Sequence, residues 1–168
     1  LQSCAKTKKP VILSTGMSNF SEVKKSFKIL KKNKCKNISL LHCVSSYPAN
    51  TMSCNLNSIK FLKDKFNCEV GWSDHTVNEL LVYSAVNNQK ADYIELHVDI
   101  DDKGWENTGG QHCWSPNKIK NLMEYLCNEK KIDGGYYKKI SKSEFKERKF
   151  RADPFDGLRP LKTFRHRL

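Results

Sequence analysis

The feature that most constrains the fold is a regular alternation of short apolar runs with amphipathic helical stretches. The apolar runs are continuous, which is typical of parallel strands covered on both faces. Four runs recur about every 24–30 residues, as in a (β/α) barrel; they occupy residues 11–15, 38–43, 68–73 and 91–98. The sequence therefore predicts an α/β fold with four consecutive βα units, half the number in a complete (β/α)8 barrel.

The helical stretches carry their own start signals. Asn19, followed three residues later by Glu22, resembles a capping box, and Thr76 with Glu79 repeats the pattern before the third helix. Ser115-Pro116 offers an N-cap and a first-turn proline to the fourth helix. Apolar residues follow at helical spacing, among them Phe20, Val23, Phe27, Leu30, Ile59, Leu62, Phe66, Ile119, Leu122, Met123 and Leu126.

Positive charge is concentrated near the end of the chain. The 168 residues carry a formal net charge of +12, and residues 137–168 hold 11 Lys/Arg against 4 Asp/Glu, a difference of +7. The βα pattern stops after about residue 132, so we divide the chain into a barrel half, 1–132, and a basic irregular tail, 133–168. A solvated tail is the favoured interpretation of the charge, with an anionic substrate or nucleic acid as alternatives.

Composition indicates a cytoplasmic globular domain. No apolar run approaches the roughly 18 residues that a membrane helix needs, and the first ten residues lack the apolar core of a signal peptide. The seven cysteines are odd in number and form no CxxC pair. We therefore expect reduced thiols, several of them buried, and no zinc site built from them.

Polar or aromatic side chains stand where the predicted strands end. They are Ser14, Ser45, Tyr47, Ser73, His75 and His97. Because the carboxyl ends of parallel barrel strands open on one face, we expect these residues to form one site. His75 and His97 lie one βα unit apart, and neighbouring strands are about 4.8 Å apart. Two imidazoles there can reach one divalent metal ion; the alternative is that one caps a strand and the other packs.

Four segments resemble, in order and spacing, the second half of the N-acetylneuraminate (sialic acid) synthase family. They read KPVILSTGM (9–17), LLHCVSSYP (40–48), GWSDHT (71–76) and IELH (94–97), within a resemblance over roughly residues 5–125. The resemblance implies the second half of a TIM (β/α)8 barrel. It also implies a transferase of carbohydrate biosynthesis that condenses phosphoenolpyruvate with an N-acylated hexosamine. The products are phosphate and a sialic acid or a relative such as legionaminic or pseudaminic acid.

The resemblance assigns the metal and the first chemical step. His75 and His97 fall on the family's two metal-ligand histidines, and the implied metal is a divalent ion, Mn²⁺ in the first instance. Its implied role is to polarise the sugar aldehyde while C3 of phosphoenolpyruvate attacks it. A Lewis acid suits this step because negative charge develops on the aldehyde oxygen.

The resemblance also assigns substrate contacts. Ser14 and Ser73 match serines that contact the phosphate-bearing substrate, and Tyr47 matches a tyrosine that contacts the sugar. Ser45 stands where many members have Asn in the same pocket. For each of the four, the alternative is a hydrogen bond to nearby backbone at a strand end or turn.

The sequence departs from the family pattern in three places. Gln111 stands where the family often has an Asp that orients the sugar, and His112 beside it is an additional substrate-binding candidate. A neutral amide accepts and donates hydrogen bonds but cannot act as a base, so the sugar preference is open. The basic tail stands where many members carry an antifreeze-like domain, and the family's first four βα units have no counterpart here.

Half a barrel has two bare strand edges, which favour association. We therefore expect activity only together with the N-terminal half, in an enzyme that forms a homo-oligomer, and an isolated chain that is unstable or pairs with that half. One alternative is an inactive truncated remnant of such an enzyme. A basic nucleic-acid-binding domain is less favoured, because no binding motif or interleaved surface aromatics are present.

Overall fold

A four-stranded parallel sheet forms the centre of the computed structural model, which describes residues 1–100 and 111–165. The strands pair in sequence order; they are β1 (Val11–Ser14), β2 (Ile38–Cys43), β3 (Val70–Asp74) and β4 (Ile94–Leu96). Leu41 lies opposite Gly71, and Ser73 lies opposite Glu95. The predicted α/β architecture of consecutive parallel βα units is confirmed.

Helices connect and flank the strands: α1 (Gln2–Lys6), α2 (Phe20–Lys32), α3 (Asn57–Phe66), α4 (Glu79–Asn87), α5 (Pro116–Asp133) and α6 (Lys162–Arg165). Short 3₁₀ helices occupy Thr51–Ser53, Lys142–Phe145 and Glu147–Phe150. The capping box predicted for α2 is present. Asn19 Oδ1 accepts from the Glu22 amide at 3.1 Å, and the Glu22 carboxylate accepts from the Asn19 amide at 2.8 Å.

The start of α4 differs from the prediction. The helix begins at Glu79 after an N-cap at Asn78, whose Oδ1 accepts from the Leu80 amide at 3.0 Å. Thr76, the predicted N-cap, instead donates its hydroxyl to Asp74 Oδ1 at 2.6 Å. The buried carboxylate is a strong hydrogen-bond acceptor and binds the threonine hydroxyl. The helix therefore begins later than predicted, at Glu79.

Strand β4 is shorter than the predicted 91–98, because its last residues change partner. Its pairing with β3 ends at Leu96. Beyond that point the Trp114 amide donates to the His97 carbonyl at 2.7 Å, and the Asp99 amide donates to the Trp114 carbonyl at 2.8 Å. The boundaries of β1 and β3 also shift from the predicted 11–15 and 68–73.

The two faces of the sheet differ in chemistry. The helix-covered face buries Leu40, Val70 and Trp72 completely, against Leu30 and Ile59 from α2 and α3. The opposite face carries mostly exposed or polar side chains, with Leu41 and Cys43 as buried exceptions; the exposed or polar ones include Ile12, Ser14, Ser39, Glu69, Ser73, Tyr93 and Glu95. Such alternation along each strand follows from the two-residue period of a strand.

Gly71 shows how closely β3 and β4 approach each other. A Cβ atom added there would lie 2.7 Å from the Tyr93 carbonyl oxygen and 2.6 Å from Leu41 Cδ2. Both distances are too short for real contacts, and one of them involves backbone. Glycine is therefore the residue that this strand pairing admits.

The chain divides into two compact units, Leu1–Glu129 and Lys130–Leu168. In the second unit Arg165 donates to both oxygens of Asp156, at 2.5 and 2.6 Å. This interaction holds the pKa of the Asp156 carboxyl well below its usual range. Asp153 accepts from the amides of Phe155 and Lys162 at 3.0 and 2.7 Å. Among the described residues, no helix has the length and apolarity needed to cross a bilayer.

Candidate active site

Four aromatic rings meet at the carboxyl ends of β2, β3 and β4. Tyr47 follows β2, His75 follows β3, His97 follows β4, and His112 precedes α5. The ring centres of His75 and His97 are 5.1 Å apart, and those of His97 and His112 are 4.8 Å apart. Tyr47 lies 4.3 Å from His75 and 4.9 Å from His112. The structure thus brings together four of the residues that the sequence analysis selected.

His75 is held in one orientation by backbone hydrogen bonds. Only 4% of the residue is exposed, and its Nδ1 lies 2.8 Å from the Val44 carbonyl oxygen. Its own carbonyl accepts from the Ala49 amide at 2.8 Å. Because a carbonyl can only accept, Nδ1 carries the proton, and Nε2 keeps its lone pair. Metal-ligating histidines are commonly fixed in this way, by a hydrogen bond from the other ring nitrogen.

His97 stands in a different environment, because its side chain is exposed. Desolvation lowers its pKa, and the neighbouring rings of His75 and His112 lower it further, while Glu95 opposes the shift. A lowered pKa means that the imidazole stays neutral into more acidic solution. Neutral imidazole is the form that binds a metal ion.

Asp74 organises the end of β3 and was not selected by the sequence analysis. It is completely buried. Its Oδ1 accepts from the Thr76 hydroxyl at 2.6 Å and from Trp72 Nε1 at 3.3 Å. Its Oδ2 accepts from the Val77 amide and from Trp114 Nε1, both at 2.9 Å. The bond from Trp114 links the end of β3, directly before His75, to the segment that follows His112. The available signal was its place in the GWSDHT segment, directly before His75.

Ser73 and Glu95 form a hydrogen bond across β3 and β4. Ser73 Oγ donates to Glu95 Oε1 at 2.8 Å, and the serine is nearly fully buried. Its predicted contact with the phosphate-bearing substrate stays a prediction, since the hydroxyl is engaged with this carboxylate. Glu95 is a second residue that the sequence analysis missed. The available signals were its place in the IELH segment and its position two residues before His97, on the same strand face.

The remaining predicted substrate residues are Ser14, Ser45 and Gln111. Ser14 is exposed at the end of β1, opposite Leu41. Ser45 is half-buried and packs closely on Gly16. A Cβ atom added to Gly16 would collide with the Ser45 hydroxyl. Gln111 is exposed beside His112, with a φ of 58°. Their substrate roles stay predictions. Residues 108–110, which precede Gln111 in the loop where the sequence departs from the family pattern, lie outside the described residues.

A further group of possible metal ligands overlaps the histidine pair. The ligand atoms of His97, His112 and Cys113 all lie within 4.8 Å of one another, and the last two residues are half-buried. The Nδ1 atom of His112 is buried without a hydrogen-bond partner among the described residues. Nitrogen and sulfur donors suit first-row divalent metals. The residues present therefore fit a metal ion, and they include one cysteine that the sequence analysis left out.

The fold and the ring cluster define an α/β protein of the βα-barrel type, with its polar site at the carboxyl ends of the strands. The family model described as "NeuB family" matches residues 1–138. The chain therefore belongs to the NeuB family. The relatives that it matches include N,N'-diacetyllegionaminic acid, pseudaminic acid and N-acetylneuraminate-9-phosphate synthases.

Individual relatives agree with this assignment. The N,N'-diacetyllegionaminic acid synthase of Campylobacter jejuni is 38% identical over 148 residues, which cover 87% of this chain and 44% of that protein. An uncharacterized protein of Methanocaldococcus jannaschii is 45% identical over 128 residues, 75% of this chain and 37% of that protein. The chain thus spans less than half the length of these two relatives.

Among solved structures, the sialic acid synthetase of Leptospira borgpetersenii in complex with citrate superposes with a TM-score of 0.68. The sequences are 32% identical, and the match covers 87% of this chain and 50% of that one. The curled parallel sheet and its helices correspond to half of the barrel in that structure. This confirms the half-barrel fold that the sequence resemblance implied.

Proposed function

We propose that this chain supplies the metal-binding half of an active site that condenses phosphoenolpyruvate with an open-chain N-acylated amino sugar. The product is a nonulosonic acid. Membership of the NeuB family supports the reaction class. The observation that carries the proposal is the 5.1 Å separation of the His75 and His97 rings at the ends of adjacent strands.

The proposed reaction consumes one phosphoenolpyruvate, one aldehyde and one water. C3 of phosphoenolpyruvate forms a bond to the aldehyde carbon, and the aldehyde oxygen takes up a proton to become a hydroxyl. Water adds at C2, and the C2–O bond to the phosphate group breaks. The products are one nonulosonic acid and one inorganic phosphate.

His75 through Nε2, and His97 through a neutral imidazole, would hold a divalent ion; Mn²⁺ is the ion that the family resemblance implies. When bound, the ion supplies Lewis-acid polarisation of the aldehyde oxygen. The backbone contacts of His75 fix its ring before substrate arrives, which reduces the reorganisation needed in the reaction.

The other side chains position the two substrates. Tyr47 is 47% exposed and packs against His75, so its free ring face can contact the sugar while shielding the histidine from water. Ser14 and Ser73 are proposed to donate hydrogen bonds to phosphoenolpyruvate. For Ser73 this requires its hydroxyl to leave Glu95, whose carboxylate then becomes available to a sugar hydroxyl. Gln111 and His112 are proposed to contact the same sugar.

We further propose that activity requires four additional βα units alongside this sheet. β1 and β4 form its two edges within the described part of the chain, and exposed parallel edges favour pairing with further strands. The match to about half of the Leptospira chain supports this requirement. The additional units would carry the cationic side chains that bind phosphoenolpyruvate.

The test is an assay of phosphate release from phosphoenolpyruvate with a panel of N-acylated hexosamines. The chain is assayed alone and joined to the N-terminal half of the Campylobacter relative. His75→Ala and His97→Ala should each reduce release at least about a thousandfold, on the order of what a metal's charge stabilisation contributes. His42→Gln, which removes a histidine outside the ring cluster, should retain activity if it folds.

Near-normal release by either alanine variant would contradict the metal assignment. No release with any acceptor in either arrangement, from a folded protein that binds phosphoenolpyruvate, would favour an inactive remnant instead.

A further inference from the structure

The segment that leads into α5 lies against the end of β4 for structural reasons. The Trp114 amide donates to the His97 carbonyl, and Trp114 Nε1 donates to buried Asp74. Trp114 is itself completely buried. These contacts fix the backbone of the two residues before it, His112 and Cys113, next to His97.

The side chains of His112 and Cys113 in that segment lie close to His97. His112 has its ring centre 4.8 Å from that of His97. Its Nδ1 is buried and, within the described part of the chain, has no hydrogen-bond partner. A buried nitrogen left without a partner is costly unless a ligand or water satisfies it. Cys113 adds a sulfur within 4.8 Å of the ligand atoms of His97 and His112.

The three ligand atoms are near enough to be drawn onto one ion. In a tetrahedral zinc site, a nitrogen at about 2.1 Å and a sulfur at about 2.3 Å from the ion lie about 3.6 Å apart. The three ligand atoms lie within 4.8 Å of one another. An approach of at most about 1.2 Å, supplied by rotation of the side chains, would bring them onto one ion.

We propose that His112 and Cys113 are additional ligands of the metal centre, and that their donors select a thiophilic divalent ion such as Zn²⁺, Co²⁺ or Fe²⁺ over Mn²⁺. This inference rests on the metal centre of the proposed function. His97 belongs to both groups, so His112 and Cys113 would add donors to an ion bound at His97. Thiolate favours softer metals, whereas manganese favours carboxylate, carbonyl and water.

The affinity for Zn²⁺ or Co²⁺ and the affinity for Mn²⁺ should respond differently to the loss of the Cys113 sulfur. Removing the sulfur should weaken Zn²⁺ and Co²⁺ binding strongly, because the metal–thiolate bond is lost. The same change should affect Mn²⁺ little, because the imidazoles and water supply the donors that manganese accepts. Affinity order alone does not discriminate, since zinc binds more tightly than manganese at most nitrogen and oxygen sites.

The first experiment titrates the folded, metal-free chain with Co²⁺ and records absorption and calorimetry together. We expect one bound ion with a near-ultraviolet sulfur-to-cobalt charge-transfer band. Cys113→Ser should abolish the band and weaken Zn²⁺ and Co²⁺ binding at least about tenfold, with less than about a threefold effect on Mn²⁺. His112→Gln should weaken binding while keeping the band. Cys127→Ser removes an exposed thiol of α5 and should change neither measurement.

A second experiment needs no variant and so does not depend on mutant folding. The wild-type chain is alkylated with iodoacetamide in the presence of Zn²⁺, Mn²⁺ or chelator, and labelled cysteines are identified by peptide mass spectrometry. Zn²⁺ should protect Cys113 strongly and Mn²⁺ should not. The exposed Cys4 and Cys127 should label equally in every condition.

The outcomes distinguish this inference from the proposed function. Cobalt bound without a charge-transfer band, no zinc protection of Cys113, or unchanged affinity in both variants would overturn the inference. If His75→Ala and His97→Ala still abolish binding in that case, the two-histidine centre of the proposed function stands. A folded chain that binds no divalent ion would overturn both.

Discussion

The ends of β3 and β4 lie side by side and carry one histidine each, yet they hold them differently. At the end of β3, His75 is almost completely buried and hydrogen-bonded to Val44, and the preceding Asp74 is completely buried with four donors around it. At the end of β4, His97 is exposed and follows a strand of only three residues.

The difference indicates which part of the site exists before a ligand arrives. The β3 end is completed by contacts within the protein, so its histidine is already oriented. The β4 end depends on the neighbouring segment at Trp114 and on the groups that face His97. One histidine is thus placed by the fold, and the other is left available to a metal ion.

Removing the Asp74 carboxylate should have the largest effect on stability. Asp74→Ala leaves two buried indole N–H groups, a hydroxyl and an amide without their acceptor. We expect the free energy of unfolding to fall by about 3 kcal/mol or more, measured by urea denaturation. Asp74→Asn keeps one acceptor oxygen and should lose less. The exposed Asp64 of α3 is the control, and Asp64→Ala should change stability by less than about 0.5 kcal/mol. Equal losses for Asp74→Ala and Asp64→Ala would refute the role of Asp74.

Trp114→Phe should affect the β4 end more than Trp72→Phe affects the β3 end. The Trp114 indole bond to Asp74 is 2.9 Å long, whereas that of Trp72 is 3.3 Å. We expect losses of about 1–2 kcal/mol for Trp114→Phe and less for Trp72→Phe. Only Trp114→Phe should also weaken Co²⁺ binding, because it removes a hydrogen bond that holds the segment carrying His112. A larger loss of metal affinity for Trp72→Phe would reverse the contrast.

Acidification should destabilise the chain through histidines whose pKa is lowered in the folded state. Desolvation lowers the pKa of His42, and desolvation together with the His75 and His112 rings lowers that of His97, so the unfolded chain binds more protons than the folded chain. The free energy of unfolding should therefore fall as pH decreases through about 6.5, the unfolded value, and level off below the folded values. We expect the Tm of the metal-free chain to fall between pH 7 and pH 5. His42→Gln should reduce this slope, and an unchanged slope would contradict the assignment to His42.

The smallest effect is expected at the hydrogen bond that joins the two strands. Ser73→Ala removes the hydroxyl that donates to Glu95, whose exposed carboxylate can turn to water. Stability should fall by about 1 kcal/mol or less. If Ser73 also contacts phosphoenolpyruvate, the substitution should raise the KM for phosphoenolpyruvate when the chain is joined to the N-terminal half. Ser21→Ala, at an exposed position of α2, is the control for both measurements. An unchanged KM would leave Ser73 as a structural link only.

Local signals predicted the elements, and nonlocal contacts corrected their ends. The spacing of Asn19 and Glu22 sufficed for the start of α2, because a capping box needs only residues three apart. The same pattern at Thr76 failed, because the threonine is claimed by the Asp74 carboxylate. The end of β4 was overestimated for a similar reason, since Trp114 replaces β3 as its partner.

The order of the βα units and the position of His75 and His97 at adjacent strand ends could be predicted from the sequence alone. Both follow from apolar periodicity and from the geometry of parallel strands, which are properties of short segments. The connection of Asp74 to Trp114 and the approach of His112 and Cys113 to His97 became evident only from the folded chain. Those contacts join residues 15 to 40 positions apart in the sequence, and no periodic pattern between them records which side chains will meet.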